Sequence, residues 1–426
     1  MTKKTGVRKR GVYSGASVTE NAPTCYHGAK LLFEEKTTKI HTYRCAGFRT
    51  ARACRKDAEA CTSYRLKRMT SALHLCTLPQ GDRCYCHTCN LLFARSVGLK
   101  DHLGHNFVSG LAKGILRRPS YLLEPLQLSS AHAQIFFSLD WLNFLVAVFH
   151  DLGVRNVLCV GAPRLFDFLR IHTEDKYDVT TFLLDIDARL SQFYAPEVFA
   201  QFNMLNGHFF EEDTGCAAIS TFFEACNGRS IIFCDPPFSV MLQPLMVALT
   251  SLMESMKKNG TGSCNKDLMS RDVSIMMTLP YFLGPKLFDT APNMKMLDYK
   301  VTYERHCRLT SAGTGGNSDS NRRVSIVRLF TDLPPKDIRP PPGLESHFRF
   351  CEDCQRYSSV DNPHCDICKA CTTLHGPPYV HCNACSRCRP PGRVHCNTCG
   401  RCVPNSAEHT HHDEPSHESR KRKLSR

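Results

Sequence analysis

The sequence lacks the features of a membrane or secreted protein. Hydrophobic residues make up 42% of its 426 residues, yet no uncharged apolar run approaches the roughly 18 to 20 residues that cross a bilayer. The basic N-terminus is not followed by the apolar core of a signal peptide. We therefore expect a soluble, intracellular protein that makes no membrane contact.

The sequence also has no surplus of acidic residues, and its cysteines are not expected to form disulfides. The chain has 25 cysteines and 20 histidines, and in a reducing compartment clustered Cys-x2-Cys pairs indicate metal binding, most commonly structural zinc. Lys and Arg number 54 against 40 Asp and Glu, a net charge of +14. That surplus favours a polyanionic partner such as nucleic acid, although a basic tail by itself is often only a solvated chain end.

Cysteine spacing and composition divide the chain into segments. The middle of the chain is poor in cysteine and alternates strand-like and helix-like runs, whereas both flanks are rich in Cys and His. We predict a basic disordered tail (1–20), a first zinc finger (21–70), a second zinc finger (80–108), an α/β domain (109–332), a Pro-rich linker (333–346), a multi-zinc domain (347–412) and a basic tail (413–426).

The middle domain reads as a mostly parallel α/β sheet, whose ligands are expected at the carboxyl ends of the strands. Strands are predicted at 156–161, 181–187, 230–234 and 273–282, with a closing hairpin formed by 294–306 and 322–333. Helices are predicted at 133–153, 163–172, 188–201, 215–226 and 241–258.

One predicted strand end carries the motif "DPPF", residues Asp235, Pro236, Pro237 and Phe238. The two prolines exclude a helix and hold a rigid, extended turn. An exocyclic adenine amino group is a poor nucleophile, and two acceptors, the Asp235 carboxylate and the Pro236 carbonyl, would orient its lone pair toward the methyl group of a sulfonium donor. Phe238 would stack on an extruded base. The alternative is a purely structural role for this motif, as a proline-rich turn in which Asp235 resembles an N-cap.

A methyl donor requires a pocket at the neighbouring strand ends. The first-strand loop has a single glycine where a glycine-rich loop has two or three, which alone is a weak signal. The predicted S-adenosylmethionine contacts are Gly161, Ala162, Pro163, Arg164 and Leu165 in this loop, Asp185 and Asp187 for the ribose, Asn206, Phe209 and Phe210 around the adenine, and Asp235 itself.

The chain resembles the zinc-finger CCHC-domain-containing ribosomal RNA N6-adenine methyltransferases. The resemblance rests on "CYHGAKLLF", "CVGAPRL", "LLDIDARLSQFY", "NMLNGHFF", "CDPPF", "LPYF", "MLDYKVTY" and "FCEDCQRY". It implies a class I (Rossmann-like) methyltransferase sheet, methylation of one adenosine in large-subunit ribosomal RNA, and residence in the nucleolus or nucleus and in part the cytoplasm. The family's C-x2-C-x4-H-x4-C knuckle is not found after Cys402, so its RNA contacts are not carried over.

Two zinc fingers are predicted before the α/β domain. The first resembles the GRF type; the second has C-x2-C-x12-H-x2-H spacing close to a C2H2 finger, in which Cys84 is an alternative to the favoured Cys86. The predicted ligands are Cys25, His27, Cys45 and Cys54 in the first finger and Cys86, Cys89, His102 and His105 in the second.

The C-terminal array repeats H-C-x2-C-x2-C three times, a spacing that resembles the cysteine-rich module of DHHC palmitoyltransferases. Four ligands per zinc predict an interleaved ladder. Its sets are Cys351, Cys354, His364 and Cys371; Cys365, Cys368, His381 and Cys388; and Cys382, Cys385, His395 and Cys402; Cys396 and Cys399 would close a fourth set with two of the later histidines, assigned to His409 and His412. About six structural zinc ions are expected in the chain.

The alternative function is a non-catalytic, zinc-rich RNA-binding protein with a decayed methyltransferase fold. Its support is the single glycine of the first loop, and the intact DPPF motif opposes it. A protein acyltransferase is excluded because there is neither a membrane span nor a His-His-Cys nucleophile. Methylation of DNA or of a protein glutamine stays open, although Asp rather than Asn at position 235 favours adenine. A monomer is expected.

Overall fold

The structure is a computed structural model that describes most of the chain. It covers residues 13–17, 19–35, 38–48, 50–66, 71–125, 134–172, 179–258, 272–304 and 325–405. The predicted ligands His409 and His412 and the predicted C-terminal tail lie outside these ranges. Within them, no helix combines the length and apolar character needed to span a bilayer.

The N-terminal residues form two small modules. The first contains β1 (Tyr13–Ser17), β2 (Thr24–Cys25), β3 (Gly28–Ala29), β4 (Leu31–Glu35), β5 (His41–Arg44) and α1 (Ala51–Leu66). The second contains α2 (Ala72–Thr77), β6 (Arg83–Cys86), β7 (Leu91–Ala94), α3 (Arg95–Gly98), β8 (Phe107–Ser109) and α4 (Lys113–Leu116). Strand β4 lies between β1 and β5, and β6 lies between β7 and β8.

The predicted disordered tail was wrong for the residues of β1. This strand pairs antiparallel with β4, and Ala16 is buried in a small core with Leu31 and Phe33. The sequence "YSGAS" has no apolar alternation that would predict a strand. The strand is instead stabilised by its pairing with the apolar strand β4.

The middle of the chain forms the central sheet and the helices around it. Its elements are α5 (Leu139–Asp151), β9 (Val154–Val160), α6 (Pro163–His172), β10 (Thr180–Asp185), β11 (Phe199–Asn203), β12 (His208–Phe209), α7 (Glu212–Ala225), β13 (Arg229–Cys234), α8 (Leu242–Lys258), β14 (Val273–Pro280), α9 (Gly284–Thr290), β15 (Lys295–Lys300) and β16 (Val327–Thr331).

The strand order in this sheet is β12-β11-β10-β9-β13-β14-β16-β15. Strands β11, β10, β9, β13 and β14 run parallel, and β16 pairs antiparallel with both β14 and β15. This confirms the predicted mostly parallel α/β sheet and its closing hairpin. Strands β10 and β11 lie on one side of β9, and the later strands β13 and β14 lie on the other. The strand order therefore reverses at β9, and the crevice at its carboxyl end is the expected ligand site.

Two apolar cores cover the faces of the sheet. Residues of α5 and α6 are buried against one face, and residues of α7 and α8 against the other. The central strands β9, β13 and β14 are buried almost throughout, as expected of parallel strands covered by helices on both sides. The result is a rigid platform whose strand ends hold side chains at the crevice.

Two predicted helices differ from the structure. The helix predicted at 133–153 begins at Leu139, because Ser138 is an N-cap whose hydroxyl accepts from Trp141 N, and Phe137 forms an antiparallel bridge with Tyr303. The helix predicted at 188–201 is a 3-10 turn, Ala188–Gln192, followed by β11. Pro196 lies between them and cannot continue a helix.

The predicted linker is packed against the sheet rather than free. Ile338 is fully buried, and its carbonyl accepts a hydrogen bond of 2.8 Å from the Tyr299 hydroxyl. After it come four antiparallel hairpins: β17 (Phe348–Cys351) with β18 (Arg356–Ser359), β19 (His364–Cys365) with β20 (Ala370–Cys371), β21 (Val380–Cys382) with β22 (Arg387–Arg389), and β23 (Arg393–Cys396) with β24 (Arg401–Pro404).

Candidate active site and metal centres

Asp235 lies directly after β13, beside the end of β9. Its backbone N–H donates to the carbonyl of Val160 at 3.1 Å, the last rung between these strands. Pro236 and Pro237 follow, and because proline has no N–H, the ladder stops there. The Asp235 side chain is partly exposed, and among the described residues none forms a salt bridge with it. The carboxylate therefore lies at the end of β13, beside the crevice, without a cationic partner among the described residues.

Two hydroxyl groups hold the Asp235 carboxylate. The hydroxyls of Thr278, on β14, and of Tyr303, at 3.3 Å, both donate to Oδ1. Burial raises the pKa of Asp235 to about 7, the two hydroxyl bonds lower it in part, and the charge of Asp185 raises it further. Burial beside Asp235 also raises the pKa of Tyr303 well above its usual value, so Tyr303 remains a donor. These contacts fix Oδ1 and leave Oδ2 for another donor.

Phe238 closes the DPPF turn on the side of Tyr303. The two rings meet edge to face with centroids 5.9 Å apart, and Phe238 is partly buried against the core beneath α5 and α6. Stacking of Phe238 on a base stays a prediction. Thr278 and Tyr303 were not singled out as site residues, although each lies in or beside a segment noted in the sequence, "LPYF" and "MLDYKVTY". The pairing of β14 with β13 brings Thr278 to Asp235, and the bridge between Phe137 and Tyr303 brings Tyr303 there.

The loop after β9 approaches the catalytic turn closely. Gly161 has φ +65°, a left-handed conformation that favours glycine. A Cβ at this position would lie 2.5 Å from Cε of Met204 and 3.2 Å from the carbonyl oxygen of Asp235. One glycine therefore meets both requirements here, left-handed backbone and close approach, and the absence of further glycines is no sign of decay.

The other residues predicted in this loop have structural contacts. Ala162, Pro163 and Leu165 are buried at the start of α6. The Arg164 guanidinium lies between the rings of Tyr121 and Phe136, at 3.7 and 4.6 Å from their centroids. It also donates to the Ser120 carbonyl at 2.9 Å. Direct contact between these side chains and a methyl donor stays a prediction.

The two acids after β10 have different environments. Asp187 forms a buried ion pair with Arg189, with an Nη2–Oδ2 distance of 2.7 Å, so its carboxylate has a protein partner. Asp185 accepts from the backbone N–H of Asp187 at 2.9 Å. Burial, and then repulsion from Asp187, raise the pKa of Asp185 to about 7. Of the two predicted ribose contacts, Asp185 is the one with carboxylate capacity left for a ligand.

Two of the three residues predicted around the adenine, Asn206 and Phe210, contact the first N-terminal module. Both amide hydrogens of Asn206 are used, in bonds of 2.8 Å to the carbonyls of His27 and Ala29. The Phe210 ring lies 5.3 Å from that of Tyr26 and 5.9 Å from that of His27. Phe209 packs against Phe202. We therefore assign Asn206 and Phe210 to an interface between modules.

The "DIDARLSQFY" segment also holds a zinc module. Gln192 accepts from Leu92 N and donates to the Asn90 carbonyl, both at 2.9 Å, in the turn of the second module. Arg189 reaches Asn90 Oδ1 at 3.4 Å. The motif that carried much of the resemblance therefore includes residues that attach the second module to the sheet.

The structure brings together the predicted ligand sets of both N-terminal modules. In each set the ligand atoms lie within 4.8 Å of one another. Tetrahedral zinc with bonds of about 2.0–2.3 Å requires ligand separations of about 3.3–3.8 Å. The Sγ of Cys54 lies 3.4 Å from Nδ1 of His27, and that of Cys86 lies 3.7 Å from Nδ1 of His105. Cys86, rather than Cys84, joins the second set. The donors fit zinc.

The C-terminal hairpins assemble three further sets in the predicted interleaved pairing. Side chains alternate faces along a strand, so the adjacent His364 and Cys365 belong to different sets. His364 is paired across its hairpin with Cys371, and these two residues complete the set of Cys351 and Cys354. The same register pairs His381 with Cys388 and His395 with Cys402. The fourth set, of Cys396 and Cys399, involves residues outside the described ranges.

Metal analysis of the purified chain tests these sets. We expect five zinc ions per chain from the five described sets, and a sixth if Cys396 and Cys399 bind one. Small modules of this kind fold on metal, so chelation is expected to unfold both flanks. Fewer than five ions per chain would contradict at least one of the five ligand sets, since each structural site holds one ion.

Comparison with known proteins agrees with the geometry of the crevice. A family model described as "Probable N6-adenine methyltransferase" matches residues 129–307, which carry Gly161, Asp185 and Asp235. The fold and the match together define the class: the protein is an N6-adenine methyltransferase.

Its relatives give the particular family. The human rRNA N(6)-adenosine-methyltransferase ZCCHC4 is 34% identical over 374 residues, which cover 81% of this chain and 70% of the human protein. The proteins of the same name from Bos taurus and Xenopus tropicalis are each 32% identical, covering 84% and 82% of this chain and 74% of each relative. The chain belongs to the ZCCHC4 family of rRNA N6-adenosine methyltransferases.

Proposed function

We propose that the protein transfers a methyl group from S-adenosylmethionine to N6 of one adenosine in large-subunit, 28S-type ribosomal RNA, through the DPPF turn. Support for the substrate comes from the names of the relatives and from the net charge of +14. Support for the chemistry comes from the crevice. The observation that carries it is the Asp235 carboxylate at the end of β13, which the Thr278 and Tyr303 hydroxyls hold through Oδ1 and which has no salt-bridge partner among the described residues.

Asp235 acts as a hydrogen-bond acceptor for the adenine amino group. Its free oxygen accepts one N–H of the amine, which concentrates the nitrogen lone pair on the side facing the donor. The donor would supply an electrophilic methyl group and leave as S-adenosylhomocysteine, and the Asp235 carboxylate would accept the proton that the methylated N6 must lose. Because Thr278 and Tyr303 fix the carboxylate before substrate binds, little reorganisation is needed at the moment of reaction. Positioning and electrostatics account for the catalysis.

The residues of the crevice fit the donor. At Gly161 the loop after β9 packs closely against Met204 and the carbonyl of Asp235, so this loop and the catalytic turn border the same crevice. Asp185, at the end of the neighbouring strand β10, keeps a carboxylate for the ribose hydroxyls. Both lie at the switch point of strand order, where open sheets of this kind bind ligands. The left-handed Gly161 and the intact DPPF turn argue against a decayed, non-catalytic fold.

The direct test is methyl transfer to purified ribosomal RNA from labelled S-adenosylmethionine. We expect label in large-subunit RNA and, after digestion, in N6-methyladenosine. Small-subunit RNA of the same preparation is the control. Label in another nucleoside, in DNA or in a protein glutamine would overturn the proposed reaction. Binding of RNA without any methyl transfer would favour the hypothesis of a non-catalytic RNA-binding protein.

The rate is expected to depend on pH through Asp235. Its pKa is raised to about 7, and only the ionised form offers two acceptor oxygens, so kcat at saturating donor should rise from pH 5.5 to about 7.5 and then level off. Asp185 has a raised pKa of about 7 as well, so the KM for the donor should fall over the same range. A kcat that is flat between pH 5.5 and 8 would contradict the role of Asp235.

Phe282 is expected to stack on a nucleotide beside the target. It is 58% exposed, follows β14 four residues after Thr278, and meets Tyr281 edge to face. Base–aromatic stacking contributes about 1–3 kcal/mol, so Phe282→Ala should raise the KM for RNA by roughly 5- to 150-fold with little change in kcat. Val247→Ala, which removes an apolar side chain of similar exposure on α8, is the control. An unchanged KM in both variants would remove Phe282 from the RNA path.

We also propose that the enzyme resides in the nucleolus or nucleus, where ribosomal RNA is made, with a cytoplasmic fraction. Localisation of the tagged full chain in cells tests this. Exclusion from the nucleus would contradict it.

A further inference from the structure

The first N-terminal module contacts three of the segments that follow strands at the crevice. Its core residues Ala16, Leu31, Phe33 and Ala46 pack against Leu205, in the loop after β11, and Met241, three residues after Phe238. At the third of these segments, a Cβ on Gly47 would lie 3.4 Å from Cδ1 of Ile186, between Asp185 and Asp187. The module therefore touches the segments that follow β10, β11 and β13.

The contact is centred on the metal ligand His27. Asn203 and Asn206 both donate to the His27 backbone carbonyl, at 3.1 and 2.8 Å. The His27 imidazole is fully buried, and its ring packs against Phe48 of the module and Phe210 of the sheet domain. The same residue would thus hold the metal through its ring, and it fixes the loop after β11 through its carbonyl.

The first module and the sheet domain pack so closely at Gly28 that no side chain fits there. This residue has φ +89°, and an added Cβ would lie 2.4 Å from Cβ of His208 and 2.9 Å from Nδ2 of Asn206. Two other facts place the contact close to the donor site. Met204, in the loop held by Asn203 and Asn206, reaches within 2.5 Å of where a Cβ on Gly161 would lie, and Ile186 lies next to Asp185.

We propose that this module is the outer wall of the methyl-donor site, and that Asn203, Asn206 and Gly28 are positioning residues that hold this wall against the sheet. The inference rests on the proposed function. None of the three residues needs to touch the donor. They act through His27 and its metal set on the loops that carry Met204, Ile186 and Met241, so donor affinity depends on a module outside the methyltransferase sheet.

The test measures donor affinity and zinc content separately. Gly28→Ala lies in the module, so it cannot remove a donor contact of the sheet domain. In titration calorimetry of the full chain with S-adenosylmethionine, we expect its Kd to rise by about 5- to 150-fold, the usual size of coupling between two sites. The zinc content should stay that of the wild type. Gly343→Ala is the matched control, because Gly343 has φ +87° and open space around it.

A second variant separates the module from its metal. His27→Ala should lose one zinc ion and show the same rise in Kd, whereas His395→Ala, in the third C-terminal set, should lose one zinc ion and keep the donor Kd of the wild type. Wild-type affinity in Gly28→Ala and His27→Ala would overturn the inference and leave the proposed function intact. Absence of donor binding in the wild type would instead overturn the proposed function.

Discussion

Asp235→Ala is expected to lower kcat for adenosine N6 methylation by about 10²- to 10³-fold, the loss found when one preorganised hydrogen-bonding group is removed from an active site. The variant loses the acceptor that orients the amino group and leaves the hydroxyls of Thr278 and Tyr303 without their common partner. Donor affinity should change far less, because the ribose contact assigned to Asp185 remains. Single-turnover rates with large-subunit RNA measure the effect.

The control for this variant is Asp289→Ala, which removes an exposed carboxylate on α9 and should keep the wild-type rate. A rate within a few fold of the wild type in Asp235→Ala would show that another group accepts the amine. The strand-end assignment of the catalytic acid would then be wrong.

Gly161→Ala is expected to abolish tight donor binding. The methyl group would meet Cε of Met204 at 2.5 Å and the Asp235 carbonyl at 3.2 Å, and the second contact involves backbone that cannot turn away. We expect the Kd for S-adenosylmethionine to rise by at least about 100-fold, or about 2.7 kcal/mol. A left-handed alanine also costs about 1 kcal/mol of stability relative to glycine.

Gly153→Ala separates these two effects. Gly153 has φ +64° but nothing within 4 Å of its added Cβ, so its alanine variant should lose similar stability and bind the donor normally. Equal donor affinities in the two variants would mean that the close approach at Gly161 has no part in the donor site.

Much of the fold follows from the sequence because buried parallel strands and amphipathic helices have distinct apolar periods. The bounds predicted for α6, 163–172, agree with those observed, and the position of Asp235 follows from the prolines that end β13. The five described metal sets could also be predicted, since spacing and strand alternation restrict the ligand pairing. Elements stabilised by a distant strand, such as β1, have no such local signal.

The crevice was predicted less completely because its polar groups come from segments distant in the chain. The hydroxyls of Thr278 and Tyr303 meet Asp235 only after β14 has paired with β13 and Tyr303 with Phe137. Asn206 was predicted to contact adenine from its place after a strand. Nothing in the local sequence indicates that the carbonyls of His27 and Ala29, some 180 residues earlier, use its amide.

The most direct measurement is an experimental structure of the wild-type chain with S-adenosylhomocysteine and an adenosine-containing RNA. We expect a purine whose N6 lies within about 3 Å of a carboxylate oxygen of Asp235, with the donor sulfur on the far side of N6 and the donor ribose at Asp185. A purine seated elsewhere, with Asp235 contacting only Thr278 and Tyr303, would contradict the account.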